Sequence, residues 1–306
     1  MTLEIKNLSV AYGDFQVLKD ISFKLNDGQL IGLVAPNGTG KTTLFNAVMH
    51  FIPIQSGQII IDDKEYTTSD QDVLAMHQEI TFFPDQADLF ENFSGREHIE
   101  MYKQIWGSNQ IVEEIVKRLD MTHYVDRKVQ EYSLGMRQRL CFSMMVAADT
   151  PIMFMDEVMN SLDPENVSLV SDVLIELRQA EKIVIIASHL LDNLDEYADK
   201  VFFLKDKVLH QINDLNIEQP LFYKIVADNN QVTLLKNEGF LTENTIQLSN
   251  QILCIPIDEL TKVEDQTLYE RLRQLKVESI EIAPLGTSEY YSYLYGLRIH
   301  SFDKEK

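Results

Sequence analysis

At 306 residues the chain has room for about two domains, and its 45% hydrophobic content is that of a globular protein with a sizeable core. A net charge of −21 argues against a sequence-independent role on nucleic acid, so no nucleic-acid partner is expected, and equally against adhesion to an anionic membrane through a polybasic patch. No apolar run approaches the roughly 18–20 residues of a membrane span, Met1-Thr-Leu-Glu-Ile-Lys6 lacks the layout of a secretion signal, and Cys141 and Cys254 have no metal or disulfide spacing, so a reducing cytoplasm is expected.

Residues 2–10 and 20–26 alternate or cluster apolar side chains as strands do, and Leu30–Val34 has the short, apolar texture of a buried strand. The run Ala35-Pro-Asn-Gly-Thr-Gly-Lys-Thr-Thr43 follows, with a helix expected over Thr42–His50. Gly38 and Gly40 permit positive φ, so successive backbone N–H groups can converge on one spot, and the helix start adds partial positive charge there. Such a loop cradles phosphate: Lys41 would reach the β- and γ-phosphates of a nucleotide and the Thr42 hydroxyl would ligate Mg²⁺. Asn37, Gly38, Thr39, Gly40, Lys41, Thr42 and Thr43 are therefore assigned to nucleotide binding. Position 35, where this pattern usually has Gly, is Ala; that is harmless at negative φ and costs ~1–2 kcal/mol at positive φ.

Ile59–Ile61 continues the strand texture after a turn at Gln55-Ser-Gly57, and after Phe83-Pro84 the texture changes. Residues 93–150 read as successive amphipathic helices, with turns near Trp106-Gly-Ser108 and Asp120–His123. Strands return at Ile152–Met155 and Ile183–Ala187, with a helix over Pro164–Arg178 between them. Asp156 closes an apolar strand, where its carboxylate can hold Mg²⁺ through water, and Glu157 next to it is the best candidate to polarise an attacking water. Farther upstream, Tyr132-Ser-Leu-Gly-Met-Arg-Gln-Arg139 opens another helix, and Ser133 with the Gly135 N–H forms a second anion site. Ser133 also reads as an ordinary N-cap, and the two roles are compatible.

This order predicts an α/β nucleotide-binding core over residues 1–212 with a helical subdomain inserted at about 88–150. A second unit, 213–306, reads as strand Leu221–Ala227, helix Asn230–Gly239, strands Asn244–Leu248 and Ile252–Ile257, helix Val263–Leu275 and strand Val277–Ile282. That is the ferredoxin-like α+β order βαββαβ, with a last aromatic helix over Ser288–Leu297 packed on it.

Together these motifs resemble, over roughly residues 1–212, the ATP-binding-cassette (ABC) ATPases with their P-loop NTPase core. The Ser-x-Gly-x-Arg-Gln wording at 133–138 is similar to the branch serving bacterial exporters of drugs, bacteriocins, peptides or polysaccharides, as is the C-terminal extension. The resemblance implies ATP and Mg²⁺ as ligands and Tyr12 as the aromatic that stacks on adenine. It implies Glu157, His189 and Lys41 as catalytic residues, His189 contacting the γ-phosphate, and Asp163 as the residue coupling two nucleotide sites. It also implies a second ATPase subunit, identical or a sister chain, whose signature run (Ser133, Gly135) covers the opposite nucleotide. A separate integral-membrane permease is implied as partner, placing the chain in the cytoplasm, peripheral on the inner face of the membrane. The family usually has glutamine straight after the proline of Phe83-Pro-Asp-Gln86, to approach Mg²⁺ and the attacking water. Either Asp85 takes that slot, which is slightly favoured, or a local shift brings Gln86 inward. Phe82, Phe83, Phe90 and Tyr102 either line a groove for a permease helix or pack in the core, whereas Tyr290, Tyr291, Tyr293 and Tyr295 are read as packing residues. The alternatives to a transporter subunit are a soluble non-transport cassette ATPase and a non-hydrolysing regulatory nucleotide switch.

Overall fold

Strand β1 (Thr2–Tyr12) turns through Gly13-Asp14 into β2 (Phe15–Asn26), and the hairpin brings Tyr12 opposite Phe15 at its tip. In this computed structural model, which describes residues 1–188, 191–214, 220–242, 244–248 and 252–295, the chain divides into two compact units, Met1–Ile212 and Asn213–Lys306. The first continues with β3 (Leu30–Val34), α1 (Lys41–Val48), β4 (Ser56–Ile61), β5 (Lys64–Tyr66), α2 (Asp70–Glu79) and β6 (Ile80–Phe82). Helices α3 (Gly95–Trp106), α4 (Val112–Arg118) and α5 (Leu134–Ala148) lead to β7 (Ile152–Asp156). Then come α6 (Pro164–Gln179), β8 (Ile183–Ala187), α7 (Leu191–Tyr197), β9 (Lys200–Lys205) and β10 (Val208–Asp214).

An antiparallel sheet has the order β2-β1-β4-β5. Its β1 buries Leu3 and Ile5, then Leu8 and Val10; a register shift between Ile5 and Leu8 returns the alternation to the same face. The second sheet has the order β10-β9-β3-β8-β7-β6, parallel from β9 through β6. Every residue of β3 and β8, and the first four of β7, is buried, as expected of parallel strands covered on both faces. Leu33 is level with Ala187, and Ala187 with Asp156. The carboxyl ends of β3 and β7 therefore line up across β8, the edge where open α/β sheets place ligands.

Between β6 and β7 the chain makes the helical subdomain, with α3 and α4 packed on α5. Helix α3 starts on a Ser94/Glu97 capping box and stops at Gly107, whose φ of 65° ends it in the left-handed conformation. Helix α2 was not expected from the pattern; Ser69 caps it and only Met76 is buried along it.

The second unit comprises β11 (Phe222–Val226), α8 (Asn229–Asn237), β12 (Ile246–Gln247), β13 (Ile252–Pro256), α9 (Lys262–Leu275), β14 (Ser279–Ala283) and α10 (Thr287–Leu294). Its antiparallel sheet has the order β12-β13-β11-β14, the ferredoxin-like arrangement of a βαββαβ chain. Tyr223, Ile225, Leu253 and Ile255 bury one face against Leu235, Leu268 and Leu272 of α8 and α9. On the other face Phe222 and Cys254 pack with Tyr290 and Tyr293 of α10, held by a Lys224–Glu289 ion pair of 2.8 Å. Tyr291 packs against Tyr295 with ring centroids 4.7 Å apart and planes tilted by 48°; the helix ends at Leu294, and residues 296–297 of its expected span lie outside the described residues.

Candidate functional site

The loop after β3 enters α1 through Gly38 and Gly40, with φ of 79° and 115°. A Cβ at Gly40 would lie 3.0 Å from Val17 and 3.2 Å from Leu18, so glycine is required by conformation and by the approach of β2. Ala35 is fully buried and its φ is not positive, so the strain considered for this position does not arise. Helix α1 has no side-chain cap, which leaves its first-turn N–H groups for an anion.

Lys41 is 6% exposed and its Nζ donates to the carbonyls of Ala35 at 2.7 Å and Pro36 at 3.4 Å. Burial lowers its pKa, while the Glu157 and Asp156 carboxylates oppose that shift. Phosphate bound here would add negative charge and favour the ammonium form. Thr39 turns its hydroxyl back onto the Pro36 carbonyl at 2.7 Å and so braces the loop. Thr42 Oγ1 donates to Asp156 Oδ2 at 2.8 Å across the sheet edge. A hydroxyl and a carboxylate side by side are hard oxygen donors of the kind Mg²⁺ takes alongside substrate phosphates and water. This donor set fits the ion.

Phe15, Val17, Asn37, Gly38, Gly40, Lys41, Thr42, Thr43, Asp156 and Glu157 line one open cleft of about 430 Å³. Most of the residues expected at the nucleotide thus come together. Tyr12 is not among the lining residues; it stands 54% exposed at the hairpin tip, while its cross-strand neighbour Phe15, which the sequence reading did not single out, lines the cleft. The signal was available: a two-residue turn at 13–14 pairs position 12 with 15, and strand alternation puts 15 and 17 on one face. His189 lies outside the described residues.

Glu157 has φ of 54°, a left-handed conformation costing a non-glycine residue roughly 1–2 kcal/mol. Its N–H donates to the Ala187 carbonyl at 2.8 Å, and its own carbonyl accepts from the Asn160 N–H at 3.0 Å and from Gln138 Nε2 at 2.9 Å. The Asn160 carboxamide donates to the Glu157 carboxylate. Gln138 also donates to the Val158 carbonyl at 2.9 Å, and its oxygen accepts from Gln86 Nε2. Neither Asp85 nor Gln86 reaches the cleft: Asp85 is exposed and accepts from the Ala87 N–H at 2.8 Å, and Gln86 turns to α5. The physical reason is local: Asp85 caps a short 3₁₀ turn over Gln86–Asp88, while Gln86 has found a buried amide partner.

Ser133, Gly135 and Asp163 also stand apart from this cleft. Ser133 Oγ accepts from the Met136 N–H at 3.3 Å, capping α5. A Cβ at Gly135 would sit 3.2 Å from the Ser161 carbonyl oxygen, so the helix start packs tightly on the turn before α6. Asp163 caps α6, accepting from the Asn166 N–H at 2.9 Å. Of the four aromatics considered for a groove, Phe83 is buried in the core, Phe82 and Tyr102 are half-buried, and Phe90 is 52% exposed. Phe82 meets Phe51 edge-on at 6.4 Å and Tyr102 lies 5.1 Å from Trp106, so an aromatic surface borders the helical subdomain.

The sequence profile described as ABC transporter matches residues 18–160. The ABC transporter ATP-binding protein YdbJ of Bacillus subtilis (strain 168) is 29% identical over 307 residues, spanning 99% of this chain and 98% of YdbJ. The lantibiotic transport ATP-binding protein SrtF of Streptococcus pyogenes is 24% identical over 203 residues, 66% of this chain and 86% of SrtF. Among solved structures, the dimeric structure of MJ0796, a bacterial ABC transporter cassette, superposes with a TM-score of 0.63 at 20% identity, covering 69% of this chain and 98% of that one.

Proposed function

The chain belongs to the ABC transporter ATP-binding family, whose members hydrolyse ATP, and from that premise we propose that it works as one of a pair of cassettes closing around two ATP molecules to drive a separate membrane permease. One observation carries the reading. Lys41, Thr42, Asp156 and Glu157 share one cleft, while the start of α5, with Ser133 and Gly135, lies outside it. Half a site on each of two surfaces is complete only when a second subunit, identical or a sister chain, supplies the missing half.

In this proposal the loop N–H groups and Lys41 hold the phosphates, and Phe15 and Tyr12 at the hairpin tip flank the base. Thr42 and Asp156 hold Mg²⁺, which when bound neutralises charge on the transferring phosphoryl group. Glu157 accepts a proton from the attacking water, its carboxylate oriented by Asn160. Asp163 and the Ser133 helix start carry the contact to the opposite subunit. The residue at 189 holds the γ-phosphate, as the family pattern implies. ATP favours the closed pair because the γ-phosphate touches both subunits only there; hydrolysis removes that differential contact and the pair opens.

No helix among the described residues is long and apolar enough to cross a membrane. In this proposal, as the family implies, membrane association runs through the permease, with Phe51, Phe82 and Phe90 offering apolar surface to one of its helices and the chain on the cytoplasmic side. Export is the direction favoured, in line with the relation to SrtF and the wording of residues 133–138. The test is a Glu157→Gln variant with ATP and Mg²⁺: it should elute as a dimer in size-exclusion chromatography and bring an integral-membrane protein with it from solubilised membranes. A persistent monomer with nucleotide bound would rule out the paired cassette.

A further inference from the structure

We propose that Gln138 is a positioning residue for the Glu157 peptide, tying the start of α5 to the end of β7 and to the loop after β6. The inference rests on the reading of Glu157 as the carboxylate that polarises water. Gln138 lies in the first turns of α5 and shares a buried helix face with Cys141, Phe142 and Met145; it is itself 4% exposed. A polar residue in that register keeps its place only if its amide is satisfied. Gln138 Nε2 donates to the Glu157 and Val158 carbonyls, each at 2.9 Å, and its Oε1 accepts from Gln86.

These bonds fix the orientation of two amides in succession. Carbonyls only accept, so the Gln138 nitrogen must face residues 157 and 158, and its oxygen must face Gln86. Gln86 in turn must present its nitrogen, which leaves its Oε1 buried without a hydrogen-bond partner among the described residues. An orphaned acceptor is unfavourable, so the arrangement shows which demand prevails: the bonds to the Glu157 and Val158 peptides are kept and the loop carries the deficit.

The Glu157 backbone is left-handed, and its peptide is held from three directions: by Ala187 of β8, by Asn160 of the following turn, and by Gln138 of α5. The contact from α5 joins it to the helical subdomain. Ser133 and Gly135 open the same helix, so a displacement of that start carries Gln138 with it. The two-state element is the left-handed Glu157 peptide, held or released, and α5 biases it. Closure on a second subunit's nucleotide would thereby reach the carboxylate of the subunit that supplies the helix.

The purified full chain with Mg-ATP tests this through Gln138→Met and Gln138→Glu. Methionine keeps the length and removes both donors; kcat should fall by about 10- to 100-fold with KM for ATP little changed. A glutamate there is ionised against two carbonyls and can donate only when protonated, so its kcat relative to the parent should recover as pH is lowered from about 8 to about 6. An ionised carboxylate buried at this position would lower kcat in either role, so packing is separated by methionine, which fills the same space and in that case would turn over at the parental kcat, overturning the positioning role. Turnover within about twofold of the parent in both variants, alongside an inactive Glu157→Gln control, would overturn the positioning role and leave the reading of Glu157 standing. A rise in KM at unchanged kcat would overturn it too. Parental turnover in Glu157→Gln would remove the reading beneath it. Should the methionine variant not fold, Gln138→Leu, read for kcat against KM in the same way, takes its place.

Discussion

Helices α1 and α5 both begin on small residues after an extended segment, and both starts read in the sequence as places for an anion. In the structure they differ. The start of α1 has no side-chain cap, a left-handed glycine at its N-cap, a buried lysine and two carboxylates opposite. At α5, Ser133 satisfies the Met136 N–H, Arg137 is paired with Glu91 at 2.8 Å, and Gly135 is pressed against the Ser161 carbonyl. One start is built open with the charges a phosphate needs; the other is closed on itself within its own chain. A helix N-terminus therefore becomes a site through what converges on it, and α5 lacks that convergence until another surface provides it.

Removing the lysine should break the α1 site most severely. Lys41→Ala deletes the buried ammonium and strands the Ala35 and Pro36 carbonyls it satisfies, so ATP affinity should drop by about 100-fold or more, equivalent to about 2.7 kcal/mol. Calorimetric titration with nucleotide measures this directly, and retained affinity would mean that the cleft is not where phosphate binds. Gly40→Ala comes next. It forces a φ of 115° on alanine and places a methyl 3.0 Å from Val17, for about 1–2 kcal/mol of stability and a displaced loop. The matching Gly135→Ala should be nearly neutral in unfolding titrations. Its φ is not left-handed, and the gain of about 1 kcal/mol in helix propensity offsets a contact of 3.2 Å to a carbonyl. Equal destabilisation at the two glycines would erase the distinction between the helix starts.

Ser133→Ala sharpens the same contrast from the other side. Loss of the cap should cost about 1 kcal/mol in a urea titration. ATP binding by the isolated subunit should be spared and steady-state hydrolysis reduced, because in the proposed pair this helix start acts on the other subunit's nucleotide. A binding defect resembling that of Lys41→Ala would place Ser133 in its own chain's cleft and contradict the pairing.

How much of this was visible beforehand follows from where the deciding forces lie. Leu30–Val34 and Ile183–Ala187 carry their own burial in an unbroken apolar run, and they fold over the residues that pattern marks. The glycine-rich loop before α1 is equally local: its glycines, lysine and threonines lie within Gly38–Thr43, and the structure adds only that Ala35 is unstrained. Helix α2 was missed because it buries little beyond Met76, so no apolar stripe announces it; its signal is the Ser69 cap and the acidic first turn. The Asp85/Gln86 question had no local answer. Its outcome depends on Gln138, 52 positions away, whose amide captures Gln86 while Asp85 caps its own turn. Phe15 was within reach of hairpin pairing, but which of two aromatics at a strand tip enters a cleft depends on the surface beneath them.

Helix α2 supplies a third start, of the ordinary capped kind, and sets the smallest test. Ser69 accepts from the Asp72 N–H at 3.2 Å, while the Asp72 carboxylate accepts from the Thr67 hydroxyl at 2.6 Å and the Thr67 N–H at 3.2 Å. Those Thr67 bonds hold the Asp72 carboxyl down at about 2. Because the folded value is depressed, the stabilisation is fully present above the usual aspartate value of 3.8 and is lost as pH falls through about 2. Carboxyl-carbon shifts recorded from pH 5 downward should show Asp72 titrating at about 2, with amide exchange at Thr67 and Asp72 accelerating in the same window. A midpoint for Asp72 near 3.8 would mean that the Thr67 bonds do not hold in solution.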